Sequence, residues 1–203
     1  MSRLLAAVAV LFLVTAIFTW AVSVHATDRW DEAILSWLRQ HDQLPRDELV
    51  QSLTALGSTA VVSVISAAAG GLLLALKWYR SLACLLVAMI GLGLLNSLLE
   101  VGVGRVRPDG AGRFAGQTDS FPSGHAMMST TLFLTLALIA ARRIGCPTGK
   151  AYILACAVAA SVLVGLSRVL LGVHYPTDVA AGWSAGAGWS LLSYSLLLGR
   201  GSD

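Results

Sequence analysis

Charge is what this chain has least of. Asp, Glu, Lys and Arg make up 12% of its 203 residues, about half of the roughly 25% usual in soluble domains. Such a chain cannot cover itself with polar surface, which argues against an ordinary soluble enzyme and leaves no basic module for nucleic acid. Polar linkers, low-complexity tracts and internal repeats are missing, and proline numbers only 5. Cysteine is rarer still: Cys84, Cys146 and Cys156 lie in or beside apolar runs without metal-ligand spacing. They are expected to be small buried hydrophobes, with no structural disulfide.

Apolar length takes the place of charge. Hydrophobic residues account for 56% of the chain, in recurring runs long enough to cross a hydrocarbon core of about 30 Å. Six spans are predicted, at about Leu4–Val24, Leu53–Leu76, Ser81–Val103, Ser123–Ala141, Ala151–Leu171 and Thr177–Leu198. The expected fold is all-α: one polytopic membrane domain over residues 1–203, with six transmembrane helices in a single bundle. Arg3 and the "VHA" at Val24–Ala26 imitate a cleaved secretory signal, but the apolar core exceeds the usual h-region of about 7–15 residues. A retained anchor is expected. With the N-terminus inside, the inner loops carry Arg3, Lys77, Arg80, Arg142, Arg143, Lys150 and Arg200 against one acid, Asp203. That asymmetry follows the positive-inside tendency and puts both termini in the cytoplasm. After the first span, Trp30, Ala33, Ile34, Trp37 and Leu38 recur at helical spacing. They predict a short amphipathic helix, lying in the outer interface, packed on the bundle as a lid, or both.

Three distant segments then deliver polar residues to one face. Arg105 and Arg107 follow the third span, Ser123, Gly124 and His125 open the fourth, and "SRVLLGVHYPTD", Ser167 to Asp178, joins the fifth to the sixth. Singly, each is explained as a cap, a turn or a snorkelling arginine. Together they suit phosphoryl transfer. Arginine forks match phosphate oxygens, and a helix N-terminus with a glycine lets an anion approach free N–H groups. His174 can attack phosphorus as a neutral imidazole, with Asp178 accepting its other ring N–H. His125, if protonated, can donate to the leaving alkoxide. Pro176 is read as a first-turn proline of the last span, which leaves His174 on the connecting turn. No close cluster of carboxylates calls for a metal, and no cofactor is expected.

These residues resemble the signature of the type 2 phosphatidic acid phosphatase (lipid phosphate phosphatase) superfamily. "PSGH" at Pro122–His125 and Ser167, Arg168, His174 and Asp178 in register supply its second and third parts. "RP" at Arg107–Pro108 ends the first, so the signature region spans about residues 100–182. The resemblance implies His174 as a nucleophile forming a phosphohistidine, Asp178 as its partner and His125 as general acid. It implies that Arg107, Arg168, Ser123 and the Gly124 amide bind the phosphoryl group, with Ser167 in support. The implied activity is metal-independent hydrolysis of a membrane lipid phosphate or pyrophosphate at the outer face of a membrane, in a bacterium the inner membrane facing the periplasm. Phosphatidic acid, phosphatidylglycerol phosphate, undecaprenyl pyrophosphate and lipid A phosphate are the candidate substrates. Alternatives are a lipid phosphotransferase using the same intermediate, and a non-catalytic lipid-binding protein or transporter. One position departs: where the family pattern has lysine, this chain has Glu100. Either Glu100 orients Arg105 or Arg107, or Arg105 replaces the missing cation, or the substrate or activity is altered.

Overall fold

The structure, a computed structural model, describes residues 2–41, 48–108 and 119–199. Arg200 and Asp203, counted above on the inner side, lie outside these residues, as does part of the signature region. The described residues form eight helices: α1 (Ser2–Ser23), α2 (Asp28–Gln40), α3 (Glu48–Ala55), α4 (Thr59–Ala75), α5 (Tyr79–Val103), α6 (Gly124–Ala141), α7 (Pro147–Leu170) and α8 (Pro176–Leu198). Local chemistry sets several of the boundaries. Ser58 caps α4 by accepting the Val61 N–H, and α5 ends at Gly104 in the left-handed region, φ 61°. Prolines occupy the first turns of α7 and α8, where a missing N–H costs nothing.

Helix α8 is the axis of the bundle and packs on α1, α5, α6 and α7. Small residues let it come close: a methyl group on Gly182 would lie 2.8 Å from the Ser123 carbonyl oxygen, and one on Gly186 2.7 Å from that of Met127. This close approach of α8 to α6 is the small-residue packing typical of membrane helices. Buried hydroxyls tie the bundle across helices, Thr15 to Ser184 at 3.0 Å and Thr135 to Ser190 at 2.9 Å. Trp183 lies on α7 with its indole N–H on the Ser161 carbonyl, and Trp189 lies on α5 bonded to that of Ala88, each at 3.0 Å.

Four helices, α1, α5, α6 and α7, are long and apolar enough to cross a membrane. The α3–α4 pair, bent by 49° at a short break, makes a fifth if counted as one span. The run from Leu53 to Leu76 is therefore not one straight helix. The break contains Gly57, nested where a Cβ would meet Val164 and the His125 carbonyl. The predicted sixth span, α8, has the length at 23 residues but falls outside that set. Its serines and glycines, among them Ser184, Ser190, Gly182 and Gly186, are turned into the bundle and lower its hydropathy. Burial of cysteine holds only for Cys84; Cys146 and Cys156 are exposed, and all three are free.

Helix α2 forms as its spacing predicts and has two faces. Trp30, Ile34 and Trp37 are exposed, while Asp31 and Leu35 are buried. Leu35 packs with Ala126, Val169 and Val179, neighbours in sequence of three of the predicted site residues. At the opposite end of the bundle, Arg80 donates to the Leu197 carbonyl at 2.7 Å and Arg142 to that of Leu198 at 2.5 Å. Arg143 stacks on Trp78 at 4.0 Å. Cations there complement the C-terminal end of the α8 dipole.

Candidate active site

The three polar segments meet at the other end. The stretch after α5 has no regular secondary structure, and Arg105 and Arg107 bond to inner groups while Val106 between them is 80% exposed. The turn from α7 to α8 delivers His174, 2% exposed, and the first turn of α8 delivers Asp178, wholly buried. Ser123, the N-cap of α6, is held to α8 by its N–H on the Asp178 carbonyl, 3.0 Å.

Hydrogen bonding defines the state of His174. Its Nε2 lies 3.1 Å from an Arg107 guanidinium nitrogen. Arginine can only donate, so Nε2 is the acceptor and the ring proton sits on Nδ1. That proton goes to the Ser120 carbonyl, 2.9 Å away. Asp178, expected to accept it, stands 3.6 Å from Nδ1. Its oxygens are taken elsewhere: Oδ2 accepts the Ser120 hydroxyl at 2.5 Å and the Tyr175 N–H at 2.9 Å, and Oδ1 accepts from Arg105 at 2.7 Å. Asp178 therefore acts on His174 chiefly through Ser120. Burial pushes the His174 pKa below its ordinary value, with Arg107 and Arg168 acting the same way and Asp178 opposing them. The imidazole is neutral, with a lone pair on Nε2.

Arg107 and Arg168 bring positive charge to bear on that ring. Arg107 also donates to the Val173 carbonyl at 2.9 Å. Burial lowers its pKa, and the charges of Asp178, Glu100 and Asp119 pull it back. Arg168, 6% exposed, is braced by the Thr54 hydroxyl at 2.8 Å, and its Nε has no partner among the described residues. The Ser123 hydroxyl is likewise buried and unpaired. Buried donors without partners are uncommon and suit an absent polar ligand. His125, in the first turn of α6, is within electrostatic reach of Arg107, Arg168 and His174. Arg107, His125, Arg168 and His174 thus lie within electrostatic reach of one another, with Ser123 and Gly124 next to His125 at the start of α6 and Asp178 beside His174. Among the described residues, no group of three His, Cys, Asp or Glu is placed to hold a metal ion.

The supporting residues are arranged differently. The Ser167 hydroxyl bonds the Val164 carbonyl of its own helix at 2.6 Å. The guanidinium of Arg105 is directed to Asp178 and to the acids of α2, and not to His174. Glu100 is half-buried, and its charge is felt by Arg107. Three contributors escaped the sequence reading: Ser120, Thr54 and Asp31. Ser120 acts largely through its backbone and Thr54 lies in a distant apolar run. Only Asp31, an acid opposite the tryptophan face of α2, offered a visible signal.

Residues 81–201, more than half of the chain, match the PAP2 superfamily. Over 180 residues the chain is 34% identical to phosphatidylglycerophosphatase B of Bacillus subtilis, covering 87% of each. It is 36% identical to a lipid A 1-phosphatase of Rhizobium johnstonii over 55% of this chain and 46% of that protein. The crystal structure of a transmembrane PAP2-type phosphatidylglycerolphosphate phosphatase from Bacillus subtilis superposes with a TM-score of 0.83 at 31% identity. That match covers 93% of this chain and 94% of the other.

Proposed function

The chain belongs to the PAP2 superfamily and is a membrane lipid phosphate phosphatase, and from that premise we propose that it hydrolyses a glycerophospholipid monoester through a phosphohistidine on His174. The observation that carries this reading is the state of His174: Nδ1–H tied to the Ser120 carbonyl and the Nε2 lone pair turned toward Arg107. Phosphatidylglycerol phosphate is the first substrate to test, because the relative matched over 87% of its length is a phosphatidylglycerophosphatase. Phosphatidic acid, lipid A phosphate and undecaprenyl pyrophosphate offer the same chemistry at phosphorus.

In the proposed reaction Arg107 leaves Nε2 for the phosphate oxygens, which Arg168, the Ser123 hydroxyl and the Gly124 N–H also hold. These donors neutralise the charge spread over the equatorial oxygens. The Nε2 lone pair attacks phosphorus, the bond to the lipid oxygen breaks, and protonated His125 gives that oxygen a proton. His125 then takes a proton from water, whose oxygen attacks phosphorus. The P–N bond breaks, its electron pair returns to Nε2, and inorganic phosphate leaves. Ser120 and Asp178 hold the ring in place through both steps.

For topology, we propose six crossings, counting α3–α4 as one bent span and α8 as the last. The arginines at the α8 C-terminus favour a cytoplasmic placement for that end, by the positive-inside tendency. The site then opens outward, in a bacterium to the periplasm, where a lipid headgroup reaches it from the outer leaflet. Phosphate release from phosphatidylglycerol phosphate in detergent micelles with excess chelator tests the reading. Wild type is expected to release phosphate and His174→Ala is not; equal release by both would overturn the assignment.

A further inference from the structure

Asp31 is a buried charge for which the proposed chemistry has no use. It is 1% exposed, on a helix whose other face carries Trp30, Ile34 and Trp37 in the open. A carboxylate is not taken out of water without partners, and these lead into the site. Asp31 Oδ1 accepts the Thr177 N–H at 3.1 Å, and Oδ2 accepts the Thr177 hydroxyl and an Arg105 N–H, the latter at 2.8 Å. The guanidinium of Arg105, 9% exposed, reaches Asp178 at 2.7 Å and Thr177 at 2.9 Å with one nitrogen and Asp28 at 3.1 Å with the other. It also stacks on the Tyr175 ring, 4.0 Å from the centroid.

The backbone of Arg105 adds a second connection. Its carbonyl accepts the Ser120 N–H at 2.6 Å. Ser120 in turn supplies the hydroxyl bound to Asp178 and the carbonyl bound to His174. One residue thus holds Asp178 by its side chain and Ser120 by its main chain, and those two groups hold the imidazole.

We propose that Asp31 and Arg105 are positioning residues for the phosphatase reaction: α2 clamps Arg105, and Arg105 sets Asp178 and Ser120 in the arrangement that presents Nε2 of His174 to phosphorus. The inference rests on His174 as nucleophile. It makes α2 part of the catalytic apparatus and explains why an arginine two residues before Arg107 turns away from the phosphate.

Charge provides the signature that separates positioning from mere packing. The ionisable groups facing His174 are Arg107 from the segment after α5, His125 from α6, Arg168 from α7 and Asp178 from α8, with Arg105, Asp31 and Asp28 one layer behind. Arg105 offsets the pull of Asp178 on a His174 proton, and Asp31 offsets Arg105. Removing Arg105 therefore makes His174 easier to protonate, and the acid limb of the rate profile moves to higher pH. Neutralising Asp31 leaves Arg105 less compensated, and the limb moves to lower pH. A contact that only stabilises the fold would not move the two limbs in opposite directions.

The test compares wild type, His174→Ala, Arg105→Met, Arg105→Lys and Asp31→Asn on short-chain phosphatidic acid in micelles across pH. Arg105→Met is expected to lose about 10²-fold in kcat, the order that a misplacement of about 1 Å costs. KM should change much less, because Arg107 and Arg168 remain. Arg105→Lys should restore part of the rate without the bidentate geometry. Asp31→Asn, an isosteric change that displaces the clamp less, should lose about tenfold, below the roughly 10²-fold cost of a misplacement of about 1 Å, and shift the limb oppositely. If Arg105→Met does not yield folded protein, the Asp31→Asn shift decides alone. An inactive His174→Ala beside wild-type kcat and pH limbs in the other variants would overturn the inference and leave the nucleophile standing. Full activity in His174→Ala would remove the nucleophile and the inference with it.

Discussion

A single methyl group at Gly165 tests how α7 and α8 hold the site. A Cβ there would lie 2.4 Å from Cζ2 of Trp183 and 2.5 Å from its Cε2 and Nε1. Ordinary carbon contacts begin near 3.5 Å, so the indole must retreat by about 1 Å or more. Overpacking of this kind costs about 1–3 kcal/mol. The bond from Nε1 to the Ser161 carbonyl, 3.0 Å long, would be lost with it, for about 0.5–1.5 kcal/mol more. Gly165→Ala is therefore expected to destabilise the protein by about 1.5–4.5 kcal/mol. Arg168 lies one turn beyond Gly165 and Asp178 five residues before Trp183, so prising the helices apart also separates the proposed phosphate-binding Arg168 from the groups proposed to orient His174. A loss of about 10- to 10²-fold in kcat/KM is expected. Residual activity after graded heating in detergent, together with initial rates, measures both effects. The control is the same substitution in a Trp183→Leu background, where the steric conflict is absent. An equal cost in both backgrounds, or none in either, would refute the packing argument.

At Gly57 an added methyl would meet Val164 at 2.5 Å and the His125 carbonyl at 3.0 Å. Gly57→Ala should displace the proposed acid by less than about 1 Å and lower kcat about tenfold, below the roughly 10²-fold cost of a misplacement of about 1 Å, in the micelle assay. The sign of the pH dependence follows from His174: burial favours its neutral form, so activity should persist below the ordinary imidazole value of about 6.5 and fall as pH drops through the depressed pKa. Arg168→Met, removing a cation that opposes the imidazolium, should move this limb upward in a rate–pH profile. At Glu100 the expected role is to support the charge of Arg107, worth at most about 1 kcal/mol for a half-exposed pair. Glu100→Gln should therefore cost no more than about fivefold in kcat/KM, and Glu100→Lys should not raise activity.

The parts legible in the sequence were those written in side chains at fixed spacing. Pro176 announced the start of α8 and placed His174 on the turn before it; the apolar runs outlined most of the long helices; and His125, His174, Arg107, Arg168 and Asp178 come together at one end of the bundle. What escaped was written in main-chain atoms or in distant contacts. Ser120 carries out its principal task with a carbonyl oxygen, which any residue possesses. The break at Gly57 needed knowledge of where His125 and Val164 would lie. Helix α8 is less apolar than its neighbours for the reason that makes it central: its serines and glycines are turned into the bundle. Arg105 shows the limit of spacing arguments most clearly, since Arg105 and Arg107, two residues apart, both turn inward yet to different partners.

The proposed double displacement predicts a stereochemical outcome that does not depend on trapping an intermediate. Hydrolysis of a lipid phosphorothioate, made chiral at phosphorus with ¹⁷O and turned over in ¹⁸O-water, reports the number of in-line displacements. Two displacements, by His174 and then by water, give retention of configuration. Inversion would mean that water attacks phosphorus directly, and would contradict His174 as the nucleophile.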